Sequence, residues 1–192
     1  MNIIRRISWE EIFSGWAERE EKNPGWIRTA TEVKGWPDWR SWRLFSAEQM
    51  RLPSRVWTLY EFTDPMNEIP AMLVGPYSGW QSKLPAPNQG TFADLVAIPK
   101  EYTFYSENAN IVGMADQYPA DTQMFGVRRP DGKIVCLEGH HRAVCVALAA
   151  RDGKTIHFSQ PMQIAIADLG ADEEDLLNQV LARGTSKTQK TT

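Results

Sequence analysis

The spacing of apolar residues in the first half of the chain predicts a mixture of helices and strands. Trp9, Ile12 and Phe13 recur with the helical period, and Ser8 followed by Glu11 forms a capping-box pattern at the start of that helix. Further along, the pattern predicts a short helix from Ser46, strands over 55–62 and 69–74, a loop over 75–91, a strand near 95–98 and a helix over 107–117.

The second half is predicted to contain a β-hairpin that leads into a helix. Apolar segments at 125–129 and 133–137 flank Pro130-Asp131-Gly132, where proline presets φ and glycine accepts a positive φ. A helix is predicted from His140 to about residue 150. The remaining expected elements are one or two strands over 156–169 with a break at Pro161, an amphipathic helix over 173–183 closed by Gly184, and a polar tail over 185–192. This mixture of elements predicts an α+β fold.

The stretch Gly139-His140-His141-Arg142 stands where the hairpin runs into the helix, and it suggests a binding site. The first turn of a helix carries backbone N–H groups without intrahelical partners. Because Gly139 has no side chain to block approach, an anion can lie against these donors. Arg142 can hold a phosphate in a bidentate manner, and His140 or His141 can donate hydrogen bonds. We therefore expect an anion site here, with phosphate as the favoured ligand.

Structural interpretations compete with this one for the same residues. Arg142 can pair with an internal carboxylate instead of a ligand. His140 and His141 point about 100° apart around a helix, so we expect one to face the ligand and the other to pack or hydrogen-bond. Because a bound phosphate favours the charged imidazolium, ligand affinity should strengthen as pH falls through the imidazole range.

The carboxylate of Glu138 is the candidate for holding Mg²⁺ or for acting as a base beside the phosphate. The alternative is a strand-end carboxylate in solvent or in a local ion pair. We expect no metal site from His140, His141 and His157, because chelation from one helix prefers histidines three or four residues apart.

Tryptophan divides the chain into two parts. All eight tryptophans lie within the first 80 residues, at positions Trp9, Trp16, Trp26, Trp36, Trp39, Trp42, Trp57 and Trp80. With Arg40 and Arg43 nearby, this cluster could form a stacking platform for nucleic acid or a protein-binding surface. The favoured interpretation is aromatic packing in a segment that has few aliphatic residues.

Composition narrows the possible functions. A chain of 192 residues suits one domain with or without an extension, and its net charge of -3 argues against sequence-independent DNA binding. No secretory signal follows Met1 and no apolar run could span a bilayer, so we expect no membrane partner. Cys136 and Cys145 are expected to pack as small buried side chains in a reducing cytoplasm.

Between residues 123 and 147 the chain resembles the ParB/sulfiredoxin-like superfamily. Members carry a Gln-Pro-aliphatic-x-Val strand, a turn, a second strand and then Gly-x-x-Arg. The matching positions here are Gln123, Phe125, Val127, Gly139, His140, His141 and Arg142, with Met124 where the proline would be. The resemblance implies a small mixed sheet with flanking helices over 70–184. A Trp-rich extension, mainly helical or irregular, would precede it over 1–69.

The resemblance also implies that nucleotide phosphate binds at the start of the helix, with Thr122 and Gln123 nearby. Members close a clamp with CTP, repair sulfinic acid with ATP or transfer phosphate to free serine. Two departures narrow the choice. Sulfiredoxin-like proteins place a reactive cysteine where this chain has His140. ParB-like proteins continue into a DNA-binding helix-turn-helix domain, and the roughly 40 residues after the motif helix argue against DNA binding of that type.

These observations predict binding of a nucleotide or another phosphorylated small molecule. Its catalytic form would be phosphoryl transfer or nucleotide hydrolysis, with Mg²⁺ and ATP, ADP or CTP as cofactors and with Glu138, His140 and His141 as catalytic residues. The alternative is a non-catalytic protein-interaction module, or a self-associating one, that uses the Trp-rich region.

Overall fold

A mixed five-stranded sheet forms the centre of the protein. It is seen in a computed structural model that describes residues 1–119, 123–173 and 175–183. The strands are β1 (Asn2–Ile7), β2 (Trp57–Glu61), β3 (Met124–Arg128), β4 (Ile134–Glu138) and β5 (Gln163–Asp168). Their order is β1-β2-β5-β3-β4, with β3 and β5 parallel and the other neighbouring pairs antiparallel. The predicted α+β class is therefore confirmed, as is the hairpin of β3 and β4.

Helices cover both faces of this sheet. The α-helices in the described residues are α1 (Trp9–Glu20), α2 (Pro24–Arg28), α3 (Trp39–Gln49), α4 (Pro65–Glu68), α5 (Ser78–Gln81), α6 (Phe92–Ala97), α7 (Pro99–Ser106), α8 (Ala109–Asp116), α9 (His140–Arg151) and α10 (Leu176–Arg183). A π-helical turn spans Thr29–Val33, and 3-10 turns span Leu52–Ser54 and Ala171–Glu173. None of these helices is long and apolar enough to cross a membrane.

Alternation along the strands gives the sheet a separate hydrophobic core on each face. In β4, Val135 and Leu137 point into a core shared with α1, α3 and α10, whereas Cys136 points into a core shared with α6, α8 and α9. Because both faces are covered, β3, β4 and β5 are nearly continuous apolar runs. The predicted packing of Cys136 and Cys145 is confirmed, since both are buried and neither forms a disulfide.

The Trp-rich segment belongs to the first of these cores. Trp9, Trp16, Trp39, Trp42 and Trp57 are each at most 6% exposed, and the other three tryptophans are partly buried. The rings of Trp9, Trp16 and Trp57 meet Phe125 of β3, at 5.8, 5.1 and 6.1 Å between centroids. Residues 1–69 also supply β1 and β2 to the common sheet. The division at residue 69 stays a prediction, but the two parts share one sheet and one core.

Two predicted elements in the middle of the chain are corrected by local capping. The segment predicted as a strand near 95–98 is α6, because Thr91 and Asp94 form a capping box at its start. The helix predicted from Ser46 begins seven residues earlier, at Trp39, where the Asp38 carboxylate accepts a hydrogen bond from the Ser41 amide at 2.7 Å. In both places the start of the helix is set by a capping side chain that the sequence interpretation had not assigned.

Other boundaries also differ from the predicted ones. Residues 69–74 form no strand, and only Leu73 makes isolated bridges, to Thr91 and Val135. The edge strand β1 and helix α7 had not been predicted. A single strand, β5, lies within 156–169, and the last helix begins at Leu176 rather than at 173. Gly184 and the tail over 185–192 lie outside the described residues.

Candidate functional site

The sharp turn between β4 and α9 requires glycine, as the sequence suggested. Gly139 has φ +103°, a conformation that side chains with a β-carbon rarely adopt. A β-carbon at this position would lie 2.6 Å from Cε of Met124, so the corner is also closely packed. The N-cap residue itself, Gly139, has no side chain to cap the first turn of α9. The predicted junction of strand, glycine and helix is therefore present.

Of the two adjacent imidazoles, His140 has a structural role. Its Nε2 accepts a hydrogen bond from the Gly75 amide at 3.1 Å, and the ring packs against Trp80, Tyr77 and Phe92. Burial, helped by the charges of His141 and Arg43, lowers the pKa of His140 to about 3. While it accepts this bond, Nε2 of His140 carries no proton that it could donate to a phosphate. The donor role predicted for His140 or His141 stays a prediction.

The side chain of His141 is exposed at the start of α9, with its ring 5.3 Å from that of Trp80. Partial desolvation lowers the pKa of His141, and the nearby Glu138 carboxylate opposes this shift. The expectation that one imidazole packs inside is thus met by His140. The expectation that the other contacts a ligand stays a prediction for His141.

An internal ion pair holds the guanidinium of Arg142. Its Nη2 donates to both carboxylate oxygens of Glu138, at 2.7 and 2.9 Å, and the two side chains are 9% and 11% exposed. Arg19 of α1 lies 3.6 Å from the same carboxylate. This is the structural alternative foreseen for Arg142 and for Glu138. Arg142 therefore serves first to neutralise a buried acid, and both oxygens of Glu138 already have partners.

A cavity of about 300 Å³ opens beside this corner and joins the two halves of the sequence. Its lining includes the motif from Gly139 to Arg142, together with Glu138 before it. Residues of the Trp-rich helices and of the segment 76–80 complete the lining. The lining residues that bear on function are Trp16, Glu20, Trp26, Thr29, Lys34, Trp42, Arg43, Tyr77, Trp80, Glu138, Gly139, His140, His141 and Arg142.

The Trp-rich wall is organised around one arginine of α3. The guanidinium carbon of Arg43 lies 3.9 Å from the ring centroid of Trp42, 4.6 Å from that of Trp16 and 4.9 Å from that of Trp26. Its Nη2 donates to Glu20 at 2.5 Å. The tryptophans therefore surround a cation that lines the cavity. From the sequence, only the nearness of Arg43 to Trp42 along the chain was apparent.

Several candidate residues lie away from this cavity. Gln123 does not line the cavity. Its side chain lies beside Gly15 of α1, where a β-carbon would be 3.4 Å from Oε1 of Gln123. His157 is exposed elsewhere on the surface. Thr122 lies outside the described residues. Conversely, Lys34 and Tyr77 line the cavity although no sequence motif marked them.

Residues 1–119, 123–173 and 175–183 contain no group of three or more His, Cys, Asp or Glu side chains that could hold a metal ion. In particular, Glu138 is engaged by Arg142, and His157 is remote from the cavity. A Mg²⁺ ion that arrived with a nucleotide would therefore depend on phosphate oxygens and water for most of its ligands.

Comparisons of the chain with protein-family models, with curated proteins and with solved structures find no significant match. The ParB/sulfiredoxin-like resemblance therefore stays a prediction.

The neutral state of buried His140 predicts acid destabilisation. An unfolded histidine takes up a proton near pH 6.5, whereas folded His140 does so only near pH 3. Between these values the unfolded state binds more protons, so this residue lowers the free energy of unfolding as pH falls, by up to about 1.4 kcal/mol per pH unit. Urea unfolding at pH 7, 6 and 5 measures this slope. In His140→Gln, which keeps an acceptor for the Gly75 amide, the slope should be smaller by about that amount. Equal slopes in the two proteins would contradict the assignment.

Proposed function

We propose that this protein binds a nucleotide or another phosphorylated small molecule in the cavity between the Gly139–Arg142 corner and the Trp-rich helices. The observation that carries this proposal is that the first turn of α9, which follows the N-cap Gly139, lines the same cavity as Arg43, whose guanidinium lies against three indole rings. The N-terminus of a helix attracts anions through its free amides and its dipole, and a guanidinium adds a full charge.

Charge in the cavity favours an anion. Its lining includes the basic residues Lys34, Arg43 and Arg142 and the acidic residues Glu20 and Glu138, which gives a formal charge of 3 − 2 = +1 with neutral histidines. The helix dipole adds about half a positive charge at the same corner. A phosphate would thus enter a site that is positive on balance, although Arg43 and Arg142 are paired with Glu20 and Glu138.

Cavity size and wall chemistry favour a small ligand with an apolar or aromatic part. A volume of about 300 Å³ is at the lower end of the usual range for small-molecule sites, roughly 300 to 1,000 Å³. A mononucleotide suits that volume better than a dinucleotide. The half-buried Trp26 and Trp80 offer aromatic surface near the opening. A π-helical turn, a feature often found at functional sites, contributes Thr29 to the lining.

We propose binding and no reaction. Glu138, the carboxylate nearest the corner, is held by Arg142. Burial lowers the pKa of His140 to about 3, which makes it a weak base, and its Nε2 already accepts from Gly75. Neither is therefore poised as a general base. A ParB/sulfiredoxin-like ancestry would suit a phosphate site at the start of α9. A cytoplasmic location would suit two cysteines that form no disulfide.

A ligand panel tests the proposal. Thermal unfolding should be followed with inorganic phosphate, AMP, CMP, ADP, ATP and CTP, each with and without Mg²⁺, and with adenosine and cytidine as uncharged controls. At 100 times the dissociation constant, a ligand that binds only the folded state adds about 2.7 kcal/mol to the free energy of unfolding. For a chain of this size that raises Tm by about 5 to 10 °C. Phosphorylated compounds should shift Tm, and the uncharged nucleosides should do so much less.

Two half-buried tryptophans provide a matched pair of variants for the same panel. Trp26 lines the cavity, whereas Trp36 lies outside it and packs against Phe45. Trp26→Ala should weaken ligand binding, and Trp36→Ala should leave it unchanged. An unshifted Tm with every compound, or shifts that survive Trp26→Ala in full, would count against this cavity as the site.

A further inference from the structure

Arg43 differs from Arg142 in how completely its donors are satisfied. Glu20 accepts from Nη2 of Arg43, but the buried Nε of Arg43 has no hydrogen-bond partner within the described part of the chain. By contrast, Nη2 of Arg142 meets both oxygens of Glu138. A buried donor without an acceptor is costly, and the cost is greater for a charged group. Arg43 is therefore the cavity guanidinium that an incoming acceptor would stabilise most.

Two neighbouring indoles share this property. The Nε1 atoms of Trp16 and Trp42 are buried, and among the described residues neither has a hydrogen-bond partner. The two side chains are 4% and 5% exposed, and both line the cavity beside Arg43. Tryptophans usually find a partner for this N–H when they are buried. Trp39, which has the Glu20 carboxylate at 3.0 Å, shows the usual arrangement within the same cluster.

The field of Arg43 reaches the far wall of the cavity. Burial lowers the pKa of His140, the first residue of α9, and the charge of Arg43 adds to that shift. Burial raises the pKa of Tyr77, and Arg43 opposes that rise while Glu138 and Glu20 add to it. Both effects require that the guanidinium lie within electrostatic range of the Gly139–Arg142 corner. Positive potential from Arg43 and from the start of α9 therefore overlaps inside the cavity.

We propose that the guanidinium of Arg43, packed against the rings of Trp16 and Trp42, forms an oxyanion subsite, and that the phosphoryl group of the ligand lies between this subsite and the first turn of α9. The proposal rests on the proposed function and names the side chains that recognise its anion. It transfers to Arg43 the role that the sequence predicted for Arg142. The ligand class is a phosphorylated compound, since a phosphoryl group can accept from the amides of α9 and from the subsite at once.

Variants of Arg43 test the assignment against a control on the same helix. Arg40 is also a cation of α3 paired with a glutamate, Glu21, but it lies outside the cavity lining. Dissociation constants for inorganic phosphate and AMP, and for adenosine as the uncharged probe, should be measured by calorimetry on Arg43→Gln, Arg43→Lys and Arg40→Gln. Arg43→Gln should weaken phosphate and AMP binding ten- to hundredfold, which corresponds to about 1.4 to 2.8 kcal/mol. Arg43→Lys should lie between, and Arg40→Gln should match the unmodified protein.

A direct measurement covers the case in which Arg43→Gln does not fold. In the unmodified protein the Nε–H resonance of Arg43 should shift during titration with inorganic phosphate and AMP, whereas that of Arg40 should not. If AMP binds with equal strength to the unmodified protein and to folded Arg43→Gln, or if the Arg43 resonance stays still, the subsite is refuted while the proposed function stands. If no phosphorylated compound binds at all, both fall together. An equal loss of adenosine and AMP binding in Arg43→Gln would show a structural role and refute the subsite.

Discussion

Replacing Trp39 with alanine is expected to lower the free energy of unfolding by about 3 to 5 kcal/mol. The ring is 1% exposed and packs against Trp16 and Phe13, at 5.3 and 5.7 Å between centroids. Its removal leaves a cavity in the core that α1 and α3 share with the sheet, and it deprives Glu20 of an N–H donor. Urea unfolding followed by circular dichroism measures the loss, which corresponds to a Tm lower by roughly 6 to 20 °C.

The same experiment tests the division of the chain at residue 69. Because the aromatic core includes Phe125 and Val127 of β3, we expect a single cooperative transition that shifts as a whole. Trp36→Ala is the matched control, since this half-buried ring packs at the edge of the cluster and should cost less than about 2 kcal/mol. A Trp39→Ala protein that unfolds in two steps, with the second step unchanged, would instead show that residues 1–69 form an independent unit.

Replacing Glu138 with alanine is expected to cost about 3 to 5 kcal/mol, the usual penalty for removing one partner of a buried ion pair. The Arg142 side chain is 9% exposed, so it cannot regain full hydration when its carboxylate is lost. The positive charge of Arg19 nearby adds repulsion once the acid is gone. Chemical unfolding at pH 7 measures the change.

The exposed pair of Arg28 and Glu32 provides the comparison. Its N–O distance is 2.9 Å, but the side chains are 75% and 65% exposed, so Glu32→Ala should change stability by less than about 0.5 kcal/mol. The double variant Glu138→Leu/Arg142→Met should recover much of the lost stability, because it removes the unpaired charge as well. Equal effects of Glu138→Ala and Glu32→Ala would mean that the corner does not bury its ion pair.

Features that depend on a few neighbouring residues were predictable from the sequence. The Ser8–Glu11 capping box is present in full, the turn after Pro130 joins β3 to β4, and α9 begins at His140. Each rests on local chemistry, in which a side chain satisfies free amides or a glycine accepts positive φ. The predicted one-inside arrangement of the two histidines likewise needed only the geometry of a helix.

Elements whose form depends on the surroundings were less predictable. β1 carries exposed apolar and basic residues such as Ile3 and Arg5, and it is a strand only because it pairs with β2. Residues 69–74 have the composition of a strand but form none. At the free edge of β4, only Leu73 pairs with this strand, through an isolated bridge to Val135. Periodicity identifies apolar positions, but it does not say which backbone groups will find partners.

By itself the sequence determined the α+β class, the hairpin, the glycine corner and the run of residues that begins α9. Only the tertiary structure decided that Arg142 faces Glu138, that His140 is buried as a neutral ring, and that tryptophans from the first half of the chain hold Arg43 against the same cavity. The physical reason is the distance along the chain over which each interaction acts. Turns and caps follow from residues a few positions apart, whereas a buried charge takes as its partner whichever group the fold brings within about 4 Å.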